Sequence, residues 1–147
     1  MSASDPHMLG PGLLPTPFTA DEIRDATGRG TTIRLRVDRP DGTHAFRVNR
    51  FSETDAEGAT LERWDADSPG DVTSGRVTWV ELQRHAAFEV GTTSVSPERL
   101  TLDLGEVDCL RYDTIDSTFW FSLGHPGQPV RWESGGFRTT VTAIEKD

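Results

Sequence analysis

Residues 109–133 read CLRYD TID STFWFSL GHPGQ PVRWE, and this segment carries the clearest structural signal in the chain. It contains three short apolar or aromatic runs that alternate with a period of two residues. Turn residues separate the runs, and this pattern is typical of adjacent antiparallel strands. The segment therefore predicts a mainly β protein.

Length and composition extend this prediction to the whole chain. The 147 residues are enough for one domain with its own core, but only 34% of them are hydrophobic. Such a core requires apolar side chains on one face of a half-buried sheet. We predict a single curved antiparallel sheet over residues 17–147, an open or half barrel of eight or nine strands. A flexible, Gly- and Pro-rich arm is expected at residues 1–16.

One short helix is predicted before the first strand. Thr19 and Glu22 have the spacing of a capping box, and Phe18 and Ile23 have that of the matching hydrophobic staple. About two helical turns are not stable alone. We therefore expect this helix to dock on the concave side of the sheet.

The first hairpin turns at Asp41-Gly42, and its register is predicted from the apolar pattern. Pairing Pro40 with Thr43 sets Leu35 opposite Val48. A slip of one residue would set Leu35 against Arg47 and mix the two faces. The first register is therefore preferred.

The last hairpin turns at Gly135-Gly136. Pairing Ser134 with Phe137 places Trp132 beside Thr139 and joins Glu133 to Arg138 on the opposite face. The side chains then expected to face the core are those of Val130, Trp132, Phe137, Val141 and Ala143.

Charge and cysteine content narrow the classes of function. A net charge of −9 argues against nucleic-acid partners and against adsorption to anionic lipid. Because no membrane span or secretion signal is visible, we expect a cytoplasmic protein. The single Cys109 is expected to be a buried, unreactive thiol.

Catalytic and metal-binding patterns are weak throughout the chain. Glu81 and His85 have the spacing of two metal ligands on a helix, but a surface coincidence is the preferred interpretation. His125 lies in a Gly-His-Pro-Gly loop and is interpreted as a solvated turn residue. No nucleophile elbow or phosphate-binding loop is present. We expect a non-catalytic protein with no metal or cofactor.

Two residue groups are candidates for binding. The arginines Arg34, Arg36 and Arg47, with Arg50 nearby, could hold an anion, although a ladder satisfied by Glu62 and other acids is favoured. Phe119 and Phe121 should point to one face of a strand and Trp120 to the other. A further strand is predicted over Val77–Leu82, and residues Glu81–Phe88 could continue as a helical turn. Core packing is the simpler explanation of these aromatics; the candidates for lining a cavity are Trp64, Trp79, Trp120, Phe121 and Trp132.

The order of elements resembles the half-barrel folds of bacterial lipoprotein-localisation factors and related lipid-carrier domains. The resemblance is carried by residues 105–133, namely the strand GEVDCLRY, the run Phe119-Trp120-Phe121 and the segment Gly127-Gln128-Pro129-Val130-Arg131. It implies a curved antiparallel sheet with a helix on its concave side.

The sequence thus predicts a non-catalytic binding module that holds an apolar or amphipathic small molecule, such as a lipid, in the concave face. The alternative is a protein-interaction or regulatory domain whose interior is filled and binds no ligand. The two differ in whether an enclosed apolar cavity exists.

Overall fold

Nine antiparallel strands form one continuous sheet in the computed structural model, which describes residues 5–146. The strands are β1 Thr31–Asp38, β2 His44–Thr54, β3 Gly58–Asp65, β4 Thr73–Thr78, β5 Ser94–Leu102, β6 Gly105–Asp113, β7 Ser117–Ser122, β8 Arg131–Ser134 and β9 Phe137–Glu145. Their order across the sheet is β4-β3-β2-β1-β9-β8-β7-β6-β5, and the edge strands β4 and β5 do not pair. The predicted open, curved antiparallel sheet is confirmed.

Helix α1, Ala20–Ala26, begins where the sequence predicts. The Thr19 side chain accepts a hydrogen bond from the Glu22 amide, and the Glu22 carboxylate accepts one from the Thr19 amide. Ile23 is only 2% exposed, so the side of the helix that carries Ile23 is the side that packs into the protein. The backbone groups at the helix start are thus satisfied, and the apolar face is buried against the sheet.

A second helix, α2, occupies Trp79–Arg84, where the sequence analysis predicted a strand. That prediction was wrong because Thr78 and Glu81 form another capping box, a local signal that outweighs the short apolar run. Trp79 is 2% exposed, and its indole Nε1 donates to the Asp55 carbonyl oxygen at 2.8 Å. The chain therefore leaves β4 at Thr78 and turns into a helix that contacts α1.

The N-terminal segment 5–16, which belongs to the region expected to be an arm, lies against α2. The buried Gln83 amide donates to the Pro6 carbonyl at 2.8 Å and to the Thr16 hydroxyl at 2.9 Å. The Gln83 side-chain Oε1 accepts a hydrogen bond from the Ala20 backbone amide at 2.9 Å. The remainder of the predicted arm, residues 1–4, lies outside the described residues.

The β1–β2 hairpin adopts the register that the sequence analysis rejected, with Leu35 opposite Arg47. Its loop is one residue longer than predicted, because Gly42 donates to the Arg39 carbonyl and takes a φ of +86°. This is a type I turn followed by a left-handed glycine, with Pro40 at the position where its fixed φ fits. The single-residue shift moves Arg47 to the same face as Leu35.

The β8–β9 hairpin confirms its predicted register, with Ser134 opposite Phe137 and Glu133 opposite Arg138. Two residues predicted to face the core, Phe137 and Ala143, do not do so. Phe137 is 47% exposed beside the turn. Further along, a bulge lies between the pairs Arg34–Ala143 and Leu35–Val141, so the following residue, Ile144, takes the core position predicted for Ala143.

The two faces of the sheet carry different residues. The concave face, on which α1 lies, presents the buried side chains Leu35, Phe51, Phe121 and Val141. The opposite, convex face carries Arg34, Arg36, Val48, Trp64 and Trp120, because side chains alternate along each strand. Among residues 5–146, no helix is long and apolar enough to cross a membrane.

Candidate ligand-binding cavity

A cavity of about 460 Å³ lies between the concave face and the two helices. Its floor comes from the central strands β1, β9 and β2, and α1 contributes Ile23 to its wall. The loop over residues 123–130 closes another side. This volume lies within the roughly 300–1,000 Å³ typical of small-molecule sites.

Aromatic rings form one wall of the cavity. Phe119 and Phe121 project from β7, and Trp132 pairs with Phe119 across to β8. Phe88 packs behind them, with ring centroids 5.2 Å from Phe119 and 6.4 Å from Phe121. Two of the five predicted cavity residues, Phe121 and Trp132, therefore line the cavity.

Trp120 lies on the convex face and does not line the cavity. It is 4% exposed, and its indole donates to the Glu98 carboxylate. The guanidinium carbons of Arg111 and Arg131 lie 5.2 Å and 5.9 Å from its ring centroid. These cation–π and hydrogen-bond contacts make Trp120 a structural residue of the convex face.

The other two predicted cavity residues also lie elsewhere. Trp64 pairs with Val48 on the convex face and is half-buried. Trp79 is the buried first residue of α2, and its indole Nε1 donates a hydrogen bond to the Asp55 carbonyl oxygen. Neither residue is among those that line the cavity.

The predicted arginine group is divided between the two faces. Arg34 and Arg36 lie on the convex face, where Arg34 Nε is 2.7 Å from Glu145 and Arg36 Nε is 3.0 Å from Asp38. Arg47 lines the cavity, and so does Arg63 of β3, which the sequence analysis did not single out. Alternation along β3 from the buried Leu61 would have placed Arg63 on the same face.

The 123–130 loop brings further polar groups to the cavity. His125 lines it, and its Nδ1 lies 2.9 Å from the Ser122 hydroxyl. The Gln128 side-chain Oε1 accepts a hydrogen bond from the Asn49 side-chain Nδ2 at 3.3 Å. The Gln128 Nε2 is buried and has no hydrogen-bond partner among the described residues.

Other groups considered for chemistry have structural roles. The Glu81 carboxylate is used in the α2 capping box. Cys109 is buried as predicted, and burial, with help from the Glu98 and Asp108 carboxylates, raises the pKa of its thiol to about 11. Within residues 5–146, no three His, Cys, Asp or Glu side chains are grouped to hold a metal ion.

The cavity is therefore the feature of this chain with the geometry of a binding site. It combines a buried apolar floor, an aromatic wall and a small number of polar side chains. No protein-family model matches the sequence, and no curated protein shows significant similarity to it.

Proposed function

We propose that this protein is a non-catalytic binding module that holds an apolar or amphipathic small molecule in the concave cavity. The observation that carries the proposal is the 460 Å³ cavity bordered by the sheet, the helices and the 123–130 loop. The sequence resemblance of residues 105–133 to half-barrel lipid-carrier domains supports this proposal.

The cavity lining favours an apolar body. Leu35, Phe121, Val130 and Val141 are each no more than 3% exposed, and they form the apolar floor on which the cavity rests. A ligand that enters removes its apolar surface from water, and each methylene contributes roughly 0.8 kcal/mol. Affinity should therefore rise with chain length until the cavity is full.

The competing proposal is an interaction or regulatory domain with a filled interior. Exposed apolar side chains such as Ile115 and Phe137 are compatible with it. These residues are scattered singly, however, and scattered surface apolar residues are ordinary in soluble domains. The unfilled concave space therefore supports the ligand-binding proposal over this one.

The test is a titration with uncharged 1-alkanols from hexanol to decanol, followed by tryptophan fluorescence. Trp132 lines the cavity, whereas Trp64, Trp79 and Trp120 do not. We expect an emission change that saturates, with affinity increasing roughly fourfold per methylene. Trp132→Phe should remove the emission change, and Trp64→Phe on the convex face should retain it. No saturable response to any alkanol would refute the proposal.

A further inference from the structure

We propose that the ligand is an amphipathic monoanion whose carboxylate is held at the cavity mouth by Arg47 and Arg63. This inference rests on the proposed function and specifies the chemical class of its ligand. The carboxylate-binding group comprises these two arginines, and the apolar body would lie against the aromatic wall.

The first observation is the sign of the charges around the cavity. The protein carries 24 acidic residues in 147, a frequency that would place about four among 27 lining residues. Among the described residues, the 27 that line the cavity include no Asp or Glu. They include three permanent cations, Arg47, Arg63 and Lys146. An acidic protein thus has a cavity with a locally positive lining, which attracts anions.

The second observation is how the two arginines are paired. Arg47 Nε lies 3.5 Å from the Asp65 carboxylate, a single long contact between two exposed groups. For Arg63, no carboxylate within 4.0 Å is found in the described part of the chain. Within the carboxylate-binding group, two guanidinium groups and one acid leave one net positive charge. Lys146, the third lining cation, lies outside this group and donates to the Ala26 carbonyl at the end of α1. The single net charge of the group matches a carboxylate better than it matches a phosphate dianion.

The third observation is the position of these groups relative to the floor. Arg47 and Arg63 are exposed and also line the cavity, which places them at its mouth. Asn49 pairs with Arg63 across β2 and β3, next to the buried Ile33. Polar groups at the rim and apolar groups below are the arrangement that binds a charged head and an apolar body together.

The experiment compares three probes built on a ten-carbon chain, which in decanoate includes the carboxylate carbon: decanoate, 1-decanol and decyltrimethylammonium. Binding is followed by Trp132 emission in the full chain. We expect decanoate to bind at least tenfold more tightly than the cation, because its carboxylate accepts charge-assisted hydrogen bonds from the arginines and the trimethylammonium head cannot accept any. Arg63→Gln should weaken decanoate about tenfold and leave 1-decanol within twofold.

Arg34→Gln is the matched control, since it removes the same charge from the convex face. It should leave all three affinities unchanged. Equal binding of decanoate and 1-decanol, with no effect of Arg63→Gln, would overturn the carboxylate assignment and leave the cavity proposal standing. No Trp132 response to any probe would overturn both.

Discussion

Gly58→Ala is expected to destabilise the fold through a backbone collision at the junction of β3, β4 and α2. A Cβ atom at Gly58 would lie 2.1 Å from the Val77 carbonyl oxygen and 2.9 Å from the Thr78 Cα. Ordinary contacts at such a Cβ begin near 3.4 Å, so the backbone must move by more than 1 Å. Overpacking of this kind costs roughly 1–3 kcal/mol.

We expect the upper end of that range because the junction is interlocked. The Gly58 amide donates to the Asp55 carboxylate at 3.0 Å, and the Trp79 indole donates to the Asp55 carbonyl at 2.8 Å. Moving the strand therefore disturbs the anchor of α2. A loss of about 3 kcal/mol corresponds to a Tm decrease of roughly 6–12 °C for a domain of this size.

The assay is urea unfolding at equilibrium, with thermal unfolding as a second measurement. Gly75→Ala on β4 is the matched control, because a Cβ there meets no atom within 4 Å. Its stability should change by less than about 1 kcal/mol, in the stabilising direction. Equal midpoints for the two variants would refute the packing described for Gly58.

Three further predictions concern other parts of the fold. Gln83→Ala removes three hydrogen bonds that join α2 to the N-terminal segment and α1, and should cost about 3 kcal/mol in urea unfolding; a loss below 0.5 kcal/mol would contradict this. Thr19→Ala should cost about 1 kcal/mol because it removes the α1 cap, and an unchanged midpoint would contradict the capping role. Cys109 should react with a thiol reagent at pH 8 only after unfolding, since its pKa is raised to about 11. Because the folded protein favours the neutral thiol, the stability contributed by this pKa shift is complete below pH 9 and is lost as the pH rises towards 11. The Cys109→Ala variant should not show this loss of stability. Rapid labelling of Cys109 in the native protein would contradict its burial.

The elements that could be predicted from the sequence are those with local signals. Thr19 and Glu22 determine the start of α1 through bonds within one turn of chain. Gly135 and Gly136 both take positive φ, so the two-residue turn fixes the β8–β9 register without help from the rest of the protein. In both cases the energy that selects the structure lies within a few residues.

The features that could not be predicted depend on contacts between distant strands. The alternation of Phe119, Trp120 and Phe121 shows two faces but does not identify which one is concave. The prediction of the β1–β2 register was wrong because the apolar pattern alone disfavours a pair of Leu35 with Arg47. The longer turn at Gly42 overrides that pattern. Placing Arg47 on the concave face costs little free energy because the side chain remains exposed to solvent. The same shift brings Arg47 to the cavity.

The most direct test of the ligand cavity is methyl NMR of the protein titrated with 1-decanol. Val130 and Val141 line the cavity and are 1% exposed, whereas Val48 is equally well buried, at 3%, on the convex face. If a ligand occupies the cavity, we expect saturable shifts at the Val130 and Val141 methyl groups and none at Val48. Shifts at Val48 with Val130 and Val141 unchanged, or no shifts at any of the three, would contradict the ligand-cavity proposal.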